Sequence, residues 1–215
     1  MNAKNESAVI FIDGNNFYHG MRDIELTTGV DFNYEAFSRK LVGTREWVET
    51  RYYTGRVQQK ADLTRYQMQR KFIAHLERFS QISVFLGRLE MRPAKSSNQK
   101  LQNWLNALPR RDDMDLPSNV VDELTMIAQS ASAPIWIEKA VDVMIATDMV
   151  SMAYEEQYDV AYLVSADGDF TPAVKKVRAT GRKVFAASPQ HGQKLAGVVN
   201  TFIPMGREFF HGCWL

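Results

Sequence analysis

Three aspartates follow two short apolar runs of the sequence, at the points where those runs end. Asp13 comes directly after residues 8–12, and Asp167 and Asp169 come shortly after residues 160–164. Runs of this kind are typical of strands that are buried on both faces of a parallel sheet. Because ligands bind beyond the carboxyl ends of such strands, we expect the three side chains to lie close together.

Carboxylates that converge on one spot repel one another, and a bound cation removes that repulsion. A ligand set of oxygen atoms alone, without His or Cys, favours Mg²⁺ or Mn²⁺ over zinc. Such a cation lowers the pKa of a bound water and neutralises charge on a phosphate under attack. The expected chemistry is therefore metal-assisted phosphodiester hydrolysis, which needs no nucleophilic side chain. Asn15 and Asn16, close to Asp13, could orient water or a phosphate oxygen.

Two of the candidate residues also have a purely structural explanation at helix starts. Asn16 could cap a helix predicted at residues 17–24, because Asn is favoured at that position. Asp169 could likewise cap the helix that Thr171 opens. A metal site explains these residues together with Asp13, whereas capping explains each of them separately.

The helix predicted at residues 140–154 carries two more aspartates. Asp142 could belong to the acidic cluster, or it could pair with Lys139 three residues earlier. Asp148 lies about 120° around the helix from Asp142, so it is expected to support the site or to pack the helix. Because the segment is apolar nearly all round, we expect this helix to be buried.

The elements that must position these residues alternate between strand and helix along the chain. This alternation predicts an α/β fold with a mainly parallel central sheet between helices. The predicted strands are residues 8–12, 47–53, 82–86, 135–137, 160–164, 184–187 and 201–203. The predicted helices are residues 17–24, 33–42, 61–79, 140–154, 171–180 and 193–197.

A polar segment at about residues 88–134 interrupts the alternation and is interpreted as an insertion. It contains several prolines, and helices are expected only around residues 99–108 and 120–130. A long irregular segment within a compact domain is usually functional or mobile. The insertion is therefore a candidate region for substrate contact.

Basic residues and one aromatic residue in this insertion are candidate RNA contacts. Cations can follow the backbone of a single strand while a base stacks on an aromatic ring. The alternative is an ordinary solvated loop, because nearby aspartates offset the charge. The candidates are Arg88, Arg92, Lys95 and Trp104.

Composition limits the partners, the compartment and the kinds of site that are expected for this protein. The formal net charge of +1 is too small to indicate nucleic acid by itself. The single cysteine, Cys213, excludes an internal disulfide, which favours a cytoplasmic setting. No Cys/His cluster in the sequence could hold zinc. No apolar stretch approaches ~18 residues, so neither a signal peptide nor a membrane span is expected. The polar residues 1–7 are expected to be disordered.

Three motifs in order resemble the NYN domain family, and more closely its LabA-like bacterial branch. They are FIDGNN at residues 11–16, KAVD at residues 139–142 and LVSADGDFTP at residues 163–172. The resemblance extends from about residue 8 to residue 203. It implies a three-layer PIN-like, Rossmannoid sandwich, formed by a single domain at residues 8–215 with an acidic site at the strand carboxyl ends.

The resemblance also implies a metal-dependent ribonuclease with Mg²⁺ or Mn²⁺ as cofactor. Asn16 would contribute to catalysis beside the metal-binding carboxylates, and Ser165, Asn15 and Asp148 are less certain members of the site. The expected partner is single-stranded RNA, with no membrane partner, and a homodimer is left open. The implied metal ligands, all catalytic, are Asp13, Asp142, Asp167 and Asp169.

Two other functions stay open at this point. One is a non-catalytic RNA- or protein-binding regulatory module on the same fold. The other is a phosphatase, which is disfavoured because Asp13-Gly14-Asn15 lacks the second aspartate of the common aspartyl-phosphate motif.

Overall fold

The computed structural model describes residues 5–92, 103–104, 106–107, 117–131 and 135–215. Its contacts divide the chain into two compact units. The first contains residues 1–88 and 138–215, and the second contains residues 89–137. The second unit nearly coincides with the segment that was interpreted as an insertion.

The strands of the described residues include every strand predicted from the sequence, several of them longer than predicted. β1 begins at Ser7, so this residue is part of the sheet and not of a disordered N-terminal segment. The strands are β1 (Ser7–Asp13), β2 (Glu46–Arg56), β3 (Ile82–Arg92), β4 (Ile135–Lys139), β5 (Val160–Val164), β6 (Lys183–Ser188) and β7 (Thr201–Pro204).

The helices also follow the predicted series, with ends that differ by a few residues. Short 3₁₀ turns at Gly168–Phe170 and Arg207–Phe210 were not predicted. The helices are α1 (Gly14–Asp23), α2 (Tyr34–Val42), α3 (Leu63–Leu76), α4 (Ser118–Ala131), α5 (Val141–Tyr154), α6 (Thr171–Ala179) and α7 (Gln193–Ala196). Residues 99–102, 105 and 108 of another predicted helix lie outside the described residues, while Asn103, Trp104, Asn106 and Ala107 are helical.

The strands form one sheet in the order β4-β3-β2-β1-β5-β6-β7. The pairs β1–β2, β1–β5, β2–β3, β5–β6 and β6–β7 are all parallel. This confirms the predicted α/β fold with a mainly parallel sheet. Because Ile12 pairs with Val164, the chain leaves β1 at Asp13 beside the point where it leaves β5 at Ser165.

Both faces of the sheet are buried, because alternate residues of β1 enter two separate hydrophobic clusters. Ile10 and Ile12 belong to one cluster, together with Phe17 of α1. Phe11 belongs to the other, together with Ile145 of α5. This burial on both sides explains why residues 8–12 of β1 are all apolar, and it fixes the strand whose end carries Asp13.

Helix α5 differs from the expectation that it would be buried all round. Val141, Ile145 and Met149 are buried, but Val143 and Tyr154 are 68% and 64% exposed. The helix covers only one face of the sheet, so its opposite side meets solvent even where it is apolar. In the part of the chain that the structure describes, no helix combines the length and apolar character needed to cross a membrane.

Candidate acidic site

Asp13 is the last residue of β1, and both oxygens of its carboxylate are hydrogen-bonded. Oδ1 accepts from the backbone N–H of Asn16 at 3.0 Å, and Oδ2 accepts from the Ser165 hydroxyl at 3.3 Å. The residue is only 4% exposed. Its extended backbone and the bond from Asn16 make Asp13 the N-cap of α1, which begins at Gly14. The prediction that Asn16 would cap this helix is therefore wrong.

Gly14 lets the turn after Asp13 pack closely against the end of β2. A Cβ atom added at Gly14 would lie 2.7 Å from both the Tyr52 hydroxyl oxygen and the Tyr53 backbone oxygen. Such a contact is too short for any side chain. The residue that follows Asp13 must therefore be small for the carboxylate to stay where it is.

The segment after β5 is organised by two short-range hydrogen bonds. The backbone N–H of Asp167 donates to Ser165 Oγ at 3.1 Å, and that of Asp169 donates to Asp167 Oδ1 at 2.9 Å. Asp167 thereby caps the 3₁₀ turn Gly168–Phe170. The alternative that Asp169 caps the next helix is wrong, because the N-cap of α6 is Phe170 and makes no side-chain cap bond. The carboxylate of Asp169 is exposed.

Asn16 joins the two turns that carry the aspartates. Its side-chain Oδ1 accepts a hydrogen bond from the backbone N–H of Ala166 at 3.0 Å, while its own N–H binds Asp13. This bond ties the start of α1 to the segment between Ser165 and Asp167. Asn16 therefore positions the site, and the side chain of Asn15 next to it is exposed.

Asp142 lies in the first turn of α5, where the helix dipole favours a negative charge. Partial burial of its carboxyl group raises its pKa, although the residue as a whole is exposed, and the charges of Asp167 and Asp169 raise it further. The alternative partner Lys139 does not bind it in any ion pair of the described residues. Asp142 therefore lies within electrostatic range of Asp167 and Asp169.

Asp13 has the strongest shift among the predicted ligands. Burial raises the pKa of Asp13 from its ordinary 3.8 to about 6, and the charges of Asp142 and Asp167 add to the rise. The hydrogen bonds from Asn16 and Ser165 act in the opposite direction. The charges of Asp142 and Asp167 thus act on Asp13, and those of Asp167 and Asp169 act on Asp142.

Glu138, near the end of β4, belongs to the same cluster and was missed in the sequence. Burial raises its pKa to about 7, and the charges of Asp13 and Asp142 also raise it, whereas a hydrogen bond from the Gly55 backbone lowers it. The signal was present, because Glu138 immediately precedes the KAVD motif. The strand predicted from the sequence ends at Ile137, so Glu138 belongs to no predicted element.

Asp148 has a separate set of partners on the side of α5 that faces β2. Its Oδ2 accepts from Arg51 Nη2 at 3.0 Å and from the Tyr53 hydroxyl at 2.7 Å. Arg51 also contacts Glu49 at 2.9 Å and lies 4.1 Å from the Phe85 ring centre. This network attaches α5 to β2, which agrees with a helix-packing role for Asp148.

Two open grooves border the turn from Asp167 to Asp169. One, of about 560 Å³, has Asn16, Asp167 and His191 in its lining. The other, of about 490 Å³, has Asp169 and Lys194 in its lining. A substrate that lay in either groove would be next to a carboxylate of the cluster.

The predicted RNA contacts are only partly described. The side chain of Arg88 is exposed, and Trp104 is 40% exposed in the second unit. Lys95 and the side chain of Arg92 lie outside the described residues. The RNA contacts of the insertion therefore stay predictions.

The donor set of the cluster fits a hard divalent cation in its chemistry. All its side chains are carboxylates, the charges of neighbouring carboxylates raise the pKa of Asp13, Asp142 and Glu138, and a cation would relieve that repulsion. As they are placed, however, no three His, Cys, Asp or Glu side chains of the described residues form a group that could hold a metal ion. A cation could be held here only if side chains of the cluster moved; Asp142 and Asp169 are exposed.

Comparison with known proteins agrees with this fold. A protein of unknown function from Vibrio parahaemolyticus, known from its crystal structure, has a TM-score of 0.58 and 20% identity, over 97% of this chain and 98% of that one. At that identity the likeness shows the fold alone. An uncharacterized protein of Methanocaldococcus jannaschii is 32% identical over 71 residues, which are 32% of this chain and 30% of that protein.

The match to the archaeal protein thus spans less than a third of that relative's length. The model of the NYN domain family matches residues 7–206, which is nearly the whole chain. The LabA-like branch stays a prediction. The chain belongs to the NYN domain family, which has a PIN-like nuclease fold.

Proposed function

We propose that this protein is a ribonuclease that hydrolyses RNA phosphodiester bonds with the help of Mg²⁺ or Mn²⁺. The observation that carries the proposal is the cluster of carboxylates at the carboxyl ends of β1 and β5, whose charges act on one another. Membership of a family with a nuclease fold supports the reaction class. The proposed cation ligands are Asp13, Asp142, Asp167 and Asp169.

The oxygen-only donor set is the kind that Mg²⁺ and Mn²⁺ prefer. When bound, the cation lowers the pKa of a water molecule and offsets the charge that builds on the scissile phosphate. The carboxylates must be ionised to bind it. The raised pKa of Asp13 therefore makes cation binding weaker in mildly acidic solution than at neutral pH.

The residues around the carboxylates hold them in place. Asp13 is fixed at both oxygens by Asn16 and Ser165, and Ser165 in turn accepts a hydrogen bond from Asp167. The buried Asp13 is thus the rigid member of the site. The exposed carboxylates of Asp142 and Asp169 face solvent, from which the substrate phosphate arrives.

The two grooves beside the acidic turn offer a path for a single strand of RNA. The aliphatic part of Lys194 packs against Gly168, where an added Cβ would lie 2.7 Å from Lys194 Cδ. Its ammonium group can pair with a backbone phosphate, and the other groove presents the amide of Asn16 and the imidazole of His191 to bases. We propose single-stranded RNA as the substrate on this basis.

Incubation of labelled linear and circular single-stranded RNA with the purified protein tests the proposal. We expect cleavage with Mg²⁺ or Mn²⁺, none in EDTA, and no 2′,3′-cyclic phosphate among the products, because water and not the 2′-hydroxyl of the RNA is the nucleophile. Cleavage of the circular RNA would identify internal cutting. Cleavage that persists in EDTA, or folded protein that cuts neither RNA with any divalent cation, would overturn the proposal.

A second candidate is a non-catalytic RNA- or protein-binding regulatory module. One observation favours it: among the described residues, no three side chains are already arranged to hold a metal ion. The same purified protein can be used to distinguish the ribonuclease from the binding module. RNA binding measured by fluorescence anisotropy, without cleavage across Mg²⁺, Mn²⁺ and Co²⁺, would support the binding module.

A further inference from the structure

Helix α3 and the chain that follows β2 border two adjoining grooves, which share no lining residue with the grooves beside the acidic turn. Their volumes are about 480 Å³ and 450 Å³, and Tyr66 and Arg70 line both of them. Lys71 lines the first groove, and Arg56, the last residue of β2, lines the second. We call the two together the α3 groove.

The wall of the α3 groove is held in place by the side chain of Gln69. Its amide oxygen accepts a hydrogen bond from the backbone N–H of Val57 at 2.9 Å, and its amide nitrogen donates to the Gly55 carbonyl at 2.7 Å. Both ends of the amide therefore bind the chain at the point where it leaves β2. The groove is thus a built feature of the fold, because hydrogen bonds fix the distance between α3 and this chain.

The cationic side chains of the α3 groove are exposed and are not neutralised by neighbouring carboxylates. In the described part of the chain, Arg56, Arg70 and Lys71 take part in none of the ion pairs. Among the described lining residues the single carboxylate is Glu77, the C-cap of α3. The α3 groove is therefore positive, although the formal net charge of the whole chain is only +1.

A pair of arginines at the mouth of the α3 groove points to an anionic ligand. Arg56 of β2 and Arg88 of β3 are partners in the parallel register, so their backbones lie about 5 Å apart. Leu86 lines the groove, and Arg88 leaves β3 on the same side because it follows two residues later. Both arginines are exposed. Like charges opposite each other on neighbouring strands repel, and a phosphate bound between them would relieve that repulsion.

The α3 groove begins at the edge of the sheet that carries the acidic cluster. Asp13 pairs with Tyr53, and Arg56 follows three residues later, roughly 10 Å further along β2. β2 and β5 flank β1 on its two sides. In the order of the strands, the α3 groove and the grooves beside the acidic turn therefore lie on opposite sides of Asp13. A strand of RNA can pass from one to the other across the carboxylates.

We propose that the α3 groove binds the part of a single-stranded RNA that lies beside the bond to be cut, with a base stacked on Tyr66. The inference rests on the proposed function, from which it takes RNA as the ligand. Cations follow the backbone of a strand, and an aromatic ring can bind the face of any base. Tyr66 is only half-buried, which leaves part of its ring open to the groove. The proposed phosphate contacts are Arg56, Arg70, Lys71 and Arg88.

Binding of labelled single-stranded RNA, measured by fluorescence anisotropy in EDTA over a range of KCl concentrations, tests this role without relying on cleavage. Each phosphate contact to a single strand adds about 0.7 to the slope of log affinity against log salt concentration. The double variant Arg56→Gln with Arg70→Gln should therefore lower the slope by about 1.4. Tyr66→Leu, which keeps an apolar side chain without a ring, should weaken binding by roughly 5-fold or more.

Lys183→Gln is the matched control, because it removes the same charge from an exposed lysine at the amino end of β6. It should bind RNA like the wild type. Circular dichroism shows whether each variant is folded, and Lys71→Gln replaces any arginine variant that is not.

The outcomes separate this inference from the proposed function. Unchanged affinity and salt slope in the folded variants, or wild-type protein that binds no RNA at low salt, would overturn the role of the α3 groove. Binding of polyglutamate as tight as that of RNA would overturn it in favour of an acidic protein partner. RNA that is bound through the α3 groove and is not cleaved with Mg²⁺ or Mn²⁺ would support the groove and overturn the ribonuclease.

Discussion

The carboxylate of Asp13 accepts a hydrogen bond of 3.0 Å from the backbone N–H of Asn16. This one bond both caps helix α1 and fixes the orientation of the most buried carboxylate of the site. An asparagine at position 13 can still accept it through its own side-chain oxygen. Asp13→Asn therefore removes a charge from the site with little change in the local backbone.

We expect Asp13→Asn to make the protein more stable at neutral pH when divalent cations are absent. Because the folded-state pKa of Asp13 is raised to about 6, the protonated acid is favoured in the fold. The stabilising contribution of Asp13 is thus fully present below its ordinary value of 3.8 and is lost as pH rises through about 6. Removing the charge should restore about 3 kcal/mol at neutral pH.

Urea unfolding in EDTA across this range measures the effect. The advantage of Asp13→Asn over the wild type should grow as the pH rises through about 6. The exposed Asp31 provides a control, because Asp31→Asn should show no such trend. An advantage of the same size at every pH would contradict the assigned burial of the Asp13 charge.

Gly14→Ala is expected to destabilise the protein and to displace the site. The new methyl group would meet the Tyr52 side chain and the Tyr53 backbone at 2.7 Å, and the backbone cannot yield without moving β2 or α1. We expect a loss of about 1–3 kcal/mol in the free energy of unfolding. Gly29→Ala, which has nothing within 4 Å, should be tolerated. Equal stability of the two variants would show that the close approach at Gly14 is not required.

Ala140→Gly is expected to stabilise the fold by up to about 1 kcal/mol. Ala140 has a φ of +72°, in the left-handed region. That conformation costs alanine about 1–2 kcal/mol, and the greater freedom of glycine in the unfolded chain offsets part of the gain. Ala146→Gly within α5 is the comparison, and it should lose about 1 kcal/mol, as glycine does in helices. Thermal unfolding of both variants measures the two changes in stability. A loss in Ala140→Gly as large as that in Ala146→Gly would contradict the strained turn.

Much of the site follows from the local pattern of the sequence. Asp13 and Asp167 could be placed because apolar runs specify buried parallel strands, whose carboxyl ends meet at one edge. The parallel pairing of β1 with β5 brings these ends together, as that reasoning requires. The assignment of Asp142 to the site depended on the family resemblance, because nothing in its own segment indicates which way the start of α5 faces.

Glu138 could not be placed in the same way, because its position depends on contacts between distant parts of the chain. A Cβ atom added at Gly87 would lie 2.7 Å from the Lys139 backbone oxygen, so the residue after Glu138 packs against a strand that is far from it in sequence. The expectation that Asn16 could cap helix α1 failed for a more local reason. Asn and Asp both favour the N-cap, and only the immediate start of α1 after β1 decides between them.

Asp148→Ala is expected to destabilise the protein equally with and without Mn²⁺. Asp148 binds Arg51 and Tyr53, and the side chains of Asp148 and Arg51 are only 29% and 17% exposed. Its removal takes one of two carboxylate partners from Arg51 and the acceptor from the Tyr53 hydroxyl, so we expect a loss of about 1–3 kcal/mol. Urea unfolding gives the value. A loss that changes markedly when Mn²⁺ is added would show that Asp148 also reaches the cation.

Single-turnover cleavage of labelled single-stranded RNA in Mn²⁺, by wild type and by Asp13→Asn, tests the central claim most directly. Both proteins must first be shown to be folded by circular dichroism. We predict that the wild type cleaves the RNA and that Asp13→Asn is slower by roughly 100-fold or more, since even groups that merely orient a metal ligand contribute about 10- to 100-fold. Equal rates for the two folded proteins would contradict a nuclease site built on Asp13.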